Sequence, residues 1–212
     1  MTMASGAPAI ARSELILGGQ KSGKSRRAEA LARAWLDRSP AHRAVLIATG
    51  QAWDAEMHER IARHQRERAE RVPGMATVEE PRDVAGALAR CARADTLVVV
   101  DCLTLWLTQW LMPPPDPQPG PPSEPEPVCE PDRLHVTEFA EQCALFLGAI
   151  RQAPGPVVLV GNEIGLGVIP MGREVRAFVD ALGLLNQRTA EACERVTLVA
   201  AGLPLVLKGP AP

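Results

Sequence analysis

Short apolar runs alternate with amphipathic segments along most of the chain. The runs near Glu14, Ala44, Thr96, Val157 and Val196 are apolar at consecutive positions, which is typical of strands buried on both faces. In the segments between them, apolar side chains recur every three or four residues, as in helices with one buried face. Strands and helices that alternate in this way predict an α/β fold with a doubly wound, mostly parallel sheet and helices on both faces.

The same pattern gives bounds for each element. Strands are predicted at residues 14–18, 44–48, 96–101, 157–160 and 196–200, with further extended pieces at 76–79 and 203–208. Helices are predicted at residues 24–37, 54–71, 81–91, 103–111, 134–150 and 173–191, the second capped by Asp54 and the third with Pro81 in its first turn. The inward stripes of the last two helices are Val136, Phe139, Ala140, Cys143, Phe146, Leu147 and Ile150, and Val175, Phe178, Val179, Leu182 and Leu185.

One segment interrupts this alternation. Residues 113–131 hold ten of the chain's 20 prolines. Proline lacks the backbone N–H that regular helices and central strands need, so this proline-rich segment is predicted to be an extended loop. The chain of 212 residues has the length of one domain, and we predict a single domain over residues 1–212 with a short flexible extension at residues 1–13.

Composition and charge exclude several classes of protein. With 46% apolar and 23% charged residues, the chain has the composition of a soluble globular protein. A net charge of -2 provides no general attraction for nucleic acid. No apolar run approaches the roughly 20 residues of a membrane span, and residues 1–13 lack the pattern of a secretory signal, so a cytoplasmic location is expected.

Two residue counts describe the interior. The chain has no Tyr, 3 Phe and 4 Trp, which predicts a mainly aliphatic core. Its 5 cysteines are odd in number, widely spaced and without a Cys-x-x-Cys pair. This pattern indicates free thiols, mostly in the core, rather than a disulfide framework or a structural zinc site.

The strongest chemical signal is the phosphate loop, residues 18–25, with the sequence GGQKSGKS. It matches the pattern of Gly, any four residues, Gly, Lys and Ser, and it lies between a predicted strand and a predicted helix, as this motif requires. Glycines allow successive backbone N–H groups to point at phosphate oxygens, and the helix dipole adds positive potential. We expect Lys24 to neutralise the β and γ phosphates and the Ser25 hydroxyl to bind Mg²⁺.

A carboxylate at the end of a neighbouring strand usually completes such a metal site. Asp101 ends the predicted strand at residues 96–101 and is the candidate for this role. The same side chain is equally placed to cap the helix that begins after Cys102. The residue pattern alone leaves both interpretations open.

His64 and Asn162 are further candidates. Helical spacing places His64 on one stripe with Met57 and Ile61, and this stripe is predicted to face protein, where a histidine is either a packed core residue or a catalytic group. His58 lies away from the stripe and is predicted to face solvent. Asn162 and Glu163 follow a buried strand, at the sheet edge where open α/β folds bind ligands, although they would also serve as turn caps.

Several short motifs follow one another along the chain. They are, in order, the phosphate loop, IATGQ at 47–51, DxEM at 54–57, RIxxHxxxR at 60–68, TVEEP at 77–81, VDCLT at 100–104, NE at 162–163 with Pro170, LNQ at 185–187 and AGLP at 201–204. Together they resemble the bifunctional adenosylcobinamide kinase and adenosylcobinamide-phosphate guanylyltransferase family of cobalamin biosynthesis. The resemblance extends over about residues 15–208. Two departures are the length of the proline-rich segment and Met75 at a position where the family tends to carry Trp.

The resemblance implies two reactions. ATP or GTP first phosphorylates the hydroxyl of the aminopropanol arm of adenosylcobinamide. GTP then donates GMP to the new phosphate through a GMP-histidine intermediate, giving adenosylcobinamide-GDP and pyrophosphate. A neutral imidazole nitrogen is a competent nucleophile toward an α-phosphate, and a phosphoramidate passes the group on.

The resemblance also assigns residues and partners. His64 falls on the histidine that carries GMP, Lys24 is the second catalytic residue, Ser25 and Asp101 hold Mg²⁺, and residues 162–170 lie near the corrinoid. A homo-oligomer, by resemblance a trimer, is expected. The predicted nucleotide-binding residues are Gly18, Gly19, Gln20, Lys21, Ser22, Gly23, Lys24, Ser25, Thr49, Gly50, Gln51, Gln65, Arg66, Glu67, Arg68, Glu79 and Asp101.

Two other classes of protein share part of this pattern. A P-loop kinase for a small metabolite or nucleotide, without guanylyl transfer, would use the phosphate loop and Asp101 and leave His64 as a packing residue. A nucleotide-binding module without catalysis would recruit a partner through the Pro-x-x-Pro spacings of the proline-rich segment. Such spacings occur in any proline-rich linker, so they do not favour this alternative.

Overall fold

The strands of the computed structural model, which describes residues 8–52, 55–112 and 133–210, form one seven-stranded sheet. They are β1 (Ser13–Gly18), β2 (Arg43–Ala48), β3 (Ala76–Glu79), β4 (Thr96–Asp101), β5 (Val157–Val160), β6 (Arg195–Ala200) and β7 (Leu203–Lys208). Their order across the sheet is β3-β2-β4-β5-β1-β6-β7, and all neighbours pair in parallel except β6 and β7. The predicted α/β fold with a mostly parallel sheet is confirmed.

The helices connect these strands. They are α1 (Lys24–Leu36), α2 (Ala55–Arg71), α3 (Val84–Cys91), α4 (Leu103–Leu111), α5 (Arg133–Gln152) and α6 (Arg173–Ala192). The predicted start of the third helix at Pro81 is wrong, because the Asp83 side chain accepts a hydrogen bond from the Gly86 N–H and caps the helix there, at 2.9 Å. The predicted cap Asp54, the proline-rich segment 113–131, Cys129 and the Val136 side chain lie outside the described part of the chain.

Two clusters of buried apolar side chains cover the two faces of the sheet. One lies beneath α1 and contains alternate residues of the strands, including Ile16, Val158 and Val160. The other lies beneath α3, α4, α5 and α6 and contains the intervening residues. Helices cover both faces because most side chains of the central strands are apolar on both sides of the sheet.

The prediction of a mainly aliphatic core is confirmed, and the second cluster also holds the buried aromatic side chains. Trp106 and Phe146 are fully buried, with ring centroids 5.0 Å apart, and Phe139 lies edge-on to Trp106 at 5.2 Å. The indole N–H of Trp106 donates to the carbonyl of Arg82 at 3.0 Å, which satisfies its only polar atom. The few aromatic residues are therefore concentrated between α4 and α5.

Three smaller predictions can be compared with the structure. A flexible extension was predicted for residues 1–13, but the first strand begins at Ser13 and the Arg12 N–H donates a hydrogen bond to Glu194. The chain is therefore attached to the rest of the domain at Arg12. Val175 and Ala140, both predicted to face inward, are exposed. Cys102, Cys143 and Cys193 are buried and Cys91 is partly buried, and these four are free thiols as predicted.

Candidate active site

The phosphate loop connects β1 to α1 and is shaped by its glycines. A Cβ on Gly18 would lie 2.3 Å from the carbonyl oxygen of Val199, so no larger residue fits beside β6. Gly23 has φ 105°, a left-handed conformation that favours glycine, and it caps α1. The Ser22 carbonyl accepts a hydrogen bond from the Gly202 N–H at 2.9 Å, which ties the loop to the turn between β6 and β7.

Lys24 and Asp101 are charged groups in the interior of the site. The Lys24 side chain is 7% exposed, and its Nζ donates to the carbonyl of Gly19 at 2.6 Å. Burial lowers the pKa of Lys24, and the charge of Asp101 acts to raise it. Burial raises the pKa of Asp101, and acting against it are the hydrogen bond from Ser25 and the charges of Arg68, Lys24 and His64.

Thr49 supports Asp101 from the neighbouring strand. Its N–H donates to the Asp101 carbonyl at 3.2 Å, and its hydroxyl both donates to the carbonyl of Cys102 and accepts from the Cys102 N–H, at 2.7 and 2.9 Å. Thr49 is fully buried. Its hydroxyl therefore holds the end of β4 in place, while Gly50 and Gln51 after it line the cavity described next.

A cavity of about 1590 Å³ lies at the carboxyl ends of β1, β2, β4 and β5, between the phosphate loop and α2. The strand ends meet there because the strands are parallel, and the cavity lies where open α/β folds bind ligands. Of the predicted site residues, those that line it are Gln20, Lys21, Ser22, Gly23, Lys24, Ser25, Gly50, Gln51, His64, Gln65, Glu67, Arg68, Glu79 and Asp101.

The remaining predicted residues lie beside this cavity rather than in its lining. Gly18 and Gly19 form the start of the phosphate loop, and Thr49 is buried behind it. Arg66 is exposed on α2 and is not among the lining residues. Asn162, a candidate from the sequence, lines the cavity as well, and so does Arg71 of α2. Sequence reasoning missed Glu29, which also lines the cavity, because its position depends on how α1 packs.

The stripe of α2 that carries His64 faces this cavity. The prediction that it faces protein is wrong for His64, whose side chain is exposed, whereas Met57 and Ile61 are partly buried. Met57, Ile61 and His64 all line the cavity, so the apolar residues form its wall and the imidazole is accessible from it. His58 is exposed as predicted, yet it lines the same cavity.

Two arginines link α2 to the rest of the site. Arg71 forms ion pairs with Glu67 on its own helix and with Glu29 of α1, the latter at 2.6 Å. Burial lowers the pKa of Arg68, while the charges of Glu29 and Asp101 act to raise it. Arg68 is therefore a partly desolvated cation directed at the same region as Lys24.

Ser25 and Asp101 have the chemistry that Mg²⁺ requires. The Ser25 hydroxyl donates a hydrogen bond to the Asp101 carboxylate, so two hard oxygen ligands lie side by side at the phosphate loop. A desolvated carboxylate with a raised pKa is stabilised by a nearby cation. P-loop sites supply two such protein ligands and take the others from phosphates and water. The residues present fit the ion.

The sheet order, the phosphate loop and the Asp101 carboxylate define a P-loop nucleotide-binding protein. In the part of the chain that the structure describes, no helix is long and apolar enough to cross a membrane. Among solved structures, the flagellar accessory protein FlaH from Methanocaldococcus jannaschii is similar over 97% of this chain and 81% of its own, with a TM-score of 0.48 and 12% identity.

Sequence comparison identifies the family. The family model for cobinamide kinase / cobinamide phosphate guanyltransferase matches residues 14–207. The bifunctional adenosylcobalamin biosynthesis protein CobP of Pseudomonas aeruginosa is 45% identical over 92% of this chain and 97% of its own length. The corresponding CobU proteins of Salmonella typhimurium and Escherichia coli are 31% and 32% identical, each over 92% of this chain and 98% of their own.

The chain belongs to the cobinamide kinase / cobinamide phosphate guanyltransferase family. It is a bifunctional transferase of adenosylcobalamin biosynthesis, with nucleotides and cobinamide as substrates.

Proposed function

We propose that the two reactions use the cavity between the phosphate loop and α2, and that guanylyl transfer passes through GMP bound covalently to His64. The observation that carries this proposal is that His64, on α2, lines the same cavity as Lys24 and Asp101. A nucleotide whose β and γ phosphates lie in the loop would extend its α-phosphate into this cavity.

In the first reaction, a hydroxyl of adenosylcobinamide attacks the γ-phosphorus of ATP or GTP. The bond from this phosphorus to the β–γ bridging oxygen breaks, and a nucleoside diphosphate leaves. Lys24 and the N–H groups of the loop stabilise the charge that develops on the phosphates. Bound Mg²⁺, held by Ser25 and Asp101, would neutralise further phosphate charge.

In the second reaction, an imidazole nitrogen of His64 attacks the α-phosphorus of GTP and pyrophosphate leaves. An oxygen of adenosylcobinamide phosphate then attacks the same phosphorus, breaks its bond to nitrogen and gives adenosylcobinamide-GDP. Accessibility favours His64 for this role, because the group that accepts GMP must also meet the second substrate. Arg68, one helical turn after His64, supplies positive charge near the transferred phosphate.

Denaturing electrophoresis after incubation with Mg²⁺ and GTP labelled at the α-phosphate tests this proposal. The wild type should carry acid-labile, alkali-stable label, as expected for a phosphoramidate, and His64→Ala should carry none. His58→Ala is the matched control, since His58 lies on the same helix and lines the same cavity. His64→Ala should keep phosphorylation of adenosylcobinamide from γ-labelled nucleotide.

Two outcomes would contradict the assignment. Label retained by His64→Ala but lost from His58→Ala would move the nucleophile to His58. Absence of label on folded wild-type protein would show that guanylyl transfer does not pass through a covalent GMP intermediate.

We further propose that the enzyme is a cytoplasmic homotrimer. Free thiols support a reducing compartment, which cell fractionation tests. Large apolar side chains are exposed in the segment after β5, where Val168 and Met171 are each 95% exposed and Leu166 is 81% exposed. Exposed apolar surface of this kind is typical of contacts with another molecule.

A further inference from the structure

Asn162 lies just beyond the carboxyl end of β5, between the phosphate loop and Asp101. β5 pairs with β4 on one side and β1 on the other, and Val160 is level with Asp101 and with Ile16. Alternate strand residues face the same side, and Val160 packs in the cluster beneath α1. Asn162 continues this row, and it lines the cavity together with Lys24 and Asp101.

Hydrogen bonds to β1 continue past the end of β5 and fix the backbone on either side of Asn162. The Gly161 N–H donates to the carbonyl of Ile16, and the Glu163 N–H donates to the carbonyl of Gly18, both at 3.0 Å. Gly18 is the first residue of the phosphate loop. The position of Asn162 is therefore coupled directly to the loop.

Two side chains hold the remaining backbone groups of Asn162. Its N–H donates to the hydroxyl of Thr104 on α4, and its carbonyl accepts from Nδ2 of Asn186 on α6, both at 3.0 Å. Asn186 is 4% exposed. The buried amide of Asn186 thus binds the backbone carbonyl of Asn162 instead of water. This arrangement is explained if the site requires Asn162 at a fixed position.

The side-chain amide of Asn162, unlike its backbone groups, is available to bind a ligand. Among the described residues, none hydrogen-bonds it. It is neutral and has both a donor and an acceptor. Lys24 and the N–H groups of the loop can only donate, and the Asp101 carboxylate can only accept.

We propose that Asn162 is a catalytic residue of the phosphoryl-transfer reaction. Its Nδ2 donates to an oxygen of the terminal phosphate, and its Oδ1 accepts a hydrogen bond from the attacking hydroxyl of cobinamide, which places this oxygen in line with the phosphorus. The inference rests on the proposed nucleotide site and adds a residue to it.

The topology restricts this role to the first reaction. β5 and the phosphate loop lie on the β1 side of β4, whereas α2 and His64 follow β2 on the other side. Asn162 is therefore placed toward the terminal phosphate and away from the α-phosphate that His64 attacks.

Asn162 takes up no proton during the reaction. The hydroxyl oxygen forms a bond to the γ-phosphorus, the bond to the bridging oxygen breaks, and the nucleoside diphosphate leaves with the electron pair. The hydroxyl proton passes to an oxygen of the transferred phosphoryl group and then to solvent. Asn186 acts through Asn162 and is a positioning residue.

The test measures both reactions on the same preparations, with γ-labelled nucleotide for phosphorylation and α-labelled GTP for transfer to His64. Asn162→Ala should lower kcat for phosphorylation by about 100-fold, as loss of one donor to a developing charge does, and should change the nucleotide KM by less than about threefold. The rate of labelling of His64 should change by less than about threefold.

Two further variants separate a catalytic from a structural role. Asn162→Asp keeps the size of the side chain but loses the donor, and its phosphorylation rate should fall at least as far as that of Asn162→Ala. Asn186→Leu should lower the phosphorylation rate by about tenfold with little change in labelling of His64, because Asn162 itself is retained. Gln187→Ala, which removes an exposed amide from the same helix, is the control.

An equal loss of both reactions in the Asn162 variants, or a raised nucleotide KM at unchanged kcat, would overturn the inference. So would full phosphorylation by Asn162→Asp. Failure of the proposed nucleotide site itself gives a different result, since Lys24→Ala would then retain both reactions.

Discussion

At the scale of single residues, the site depends on charges that the protein holds away from water. Lys24 is the clearest example, because burial lowers its pKa while its Nζ is held by the carbonyl of Gly19. A phosphate group offers this ammonium a fully charged partner in place of a neutral carbonyl, so much of the desolvation cost has already been met when the nucleotide binds.

Lys24→Ala should therefore remove both reactions, each by at least about 100-fold, because both require the triphosphate in the loop. Assays with α-labelled and γ-labelled GTP measure the two losses separately. Arg33→Ala, which removes an exposed cation further along α1, should retain both activities. Retention of either reaction within about tenfold of wild type in folded Lys24→Ala would contradict the shared nucleotide site.

At the scale of elements, a buried ion cluster anchors the strand that carries the phosphate loop. Oε1 of Glu14 on β1 accepts hydrogen bonds from Arg27 of α1, at 2.8 and 3.0 Å, and from the hydroxyl of Thr197 on β6, at 2.7 Å. Its Oε2 lies 3.6 Å from Nη1 of buried Arg195. One carboxylate thus connects β1, α1 and β6, the elements that enclose the loop.

Glu14→Ala should lower the free energy of unfolding by about 3–5 kcal/mol, because it leaves Arg195 buried without its anion. Equilibrium denaturation in urea measures the change. Asp37→Ala removes the exposed ion pair with Arg33 and should cost less than about 1 kcal/mol. An equal effect of the two substitutions would show that the cluster contributes no more than a surface pair.

At the scale of the whole molecule, the proposed trimer would cover apolar surface that the monomer exposes. Besides the segment after β5, the edge strand β7 exposes Leu203, Leu205 and Leu207, with 57–68% of each accessible. Edge strands with exposed apolar side chains favour association, and burial of such side chains stabilises an oligomer.

Light scattering coupled to gel filtration should give a mass three times that of the 22.7 kDa chain. The mass should remain the same at high salt, because apolar contacts are not screened by ions. The mass of a monomer at micromolar concentration would contradict the proposed trimer. The mass of a stable dimer would also contradict it and would show that the protein is a dimer.

Much of the fold was predictable because its signals are local. Central parallel strands are buried on both faces, so β1, β2, β4 and β5 appear in the sequence as continuous apolar runs. The phosphate loop was predictable for the same reason, since its glycines, Lys24 and Ser25 are adjacent in sequence and their spacing is set by the phosphates they bind.

Other features depend on contacts between distant segments. Periodicity placed His64 on one stripe with Met57 and Ile61, but the sequence does not show that this stripe faces a cavity rather than a packed core. Val175, predicted to face inward, is exposed for the same reason. Helical spacing defines a stripe of apolar residues, but the neighbouring elements decide how much of that stripe is buried.

The sequence by itself determined the succession of strands and helices along the chain, the phosphate loop and the family, because each of these depends on residues that are close together in the sequence. Only the tertiary structure decided that β5 lies between β1 and β4, that Asn162 thereby lines the same cavity as Lys24 and Asp101, and that α2 presents His64 to this cavity. The physical reason is that strand order and helix packing follow from long-range burial of apolar surface, which local patterns do not specify.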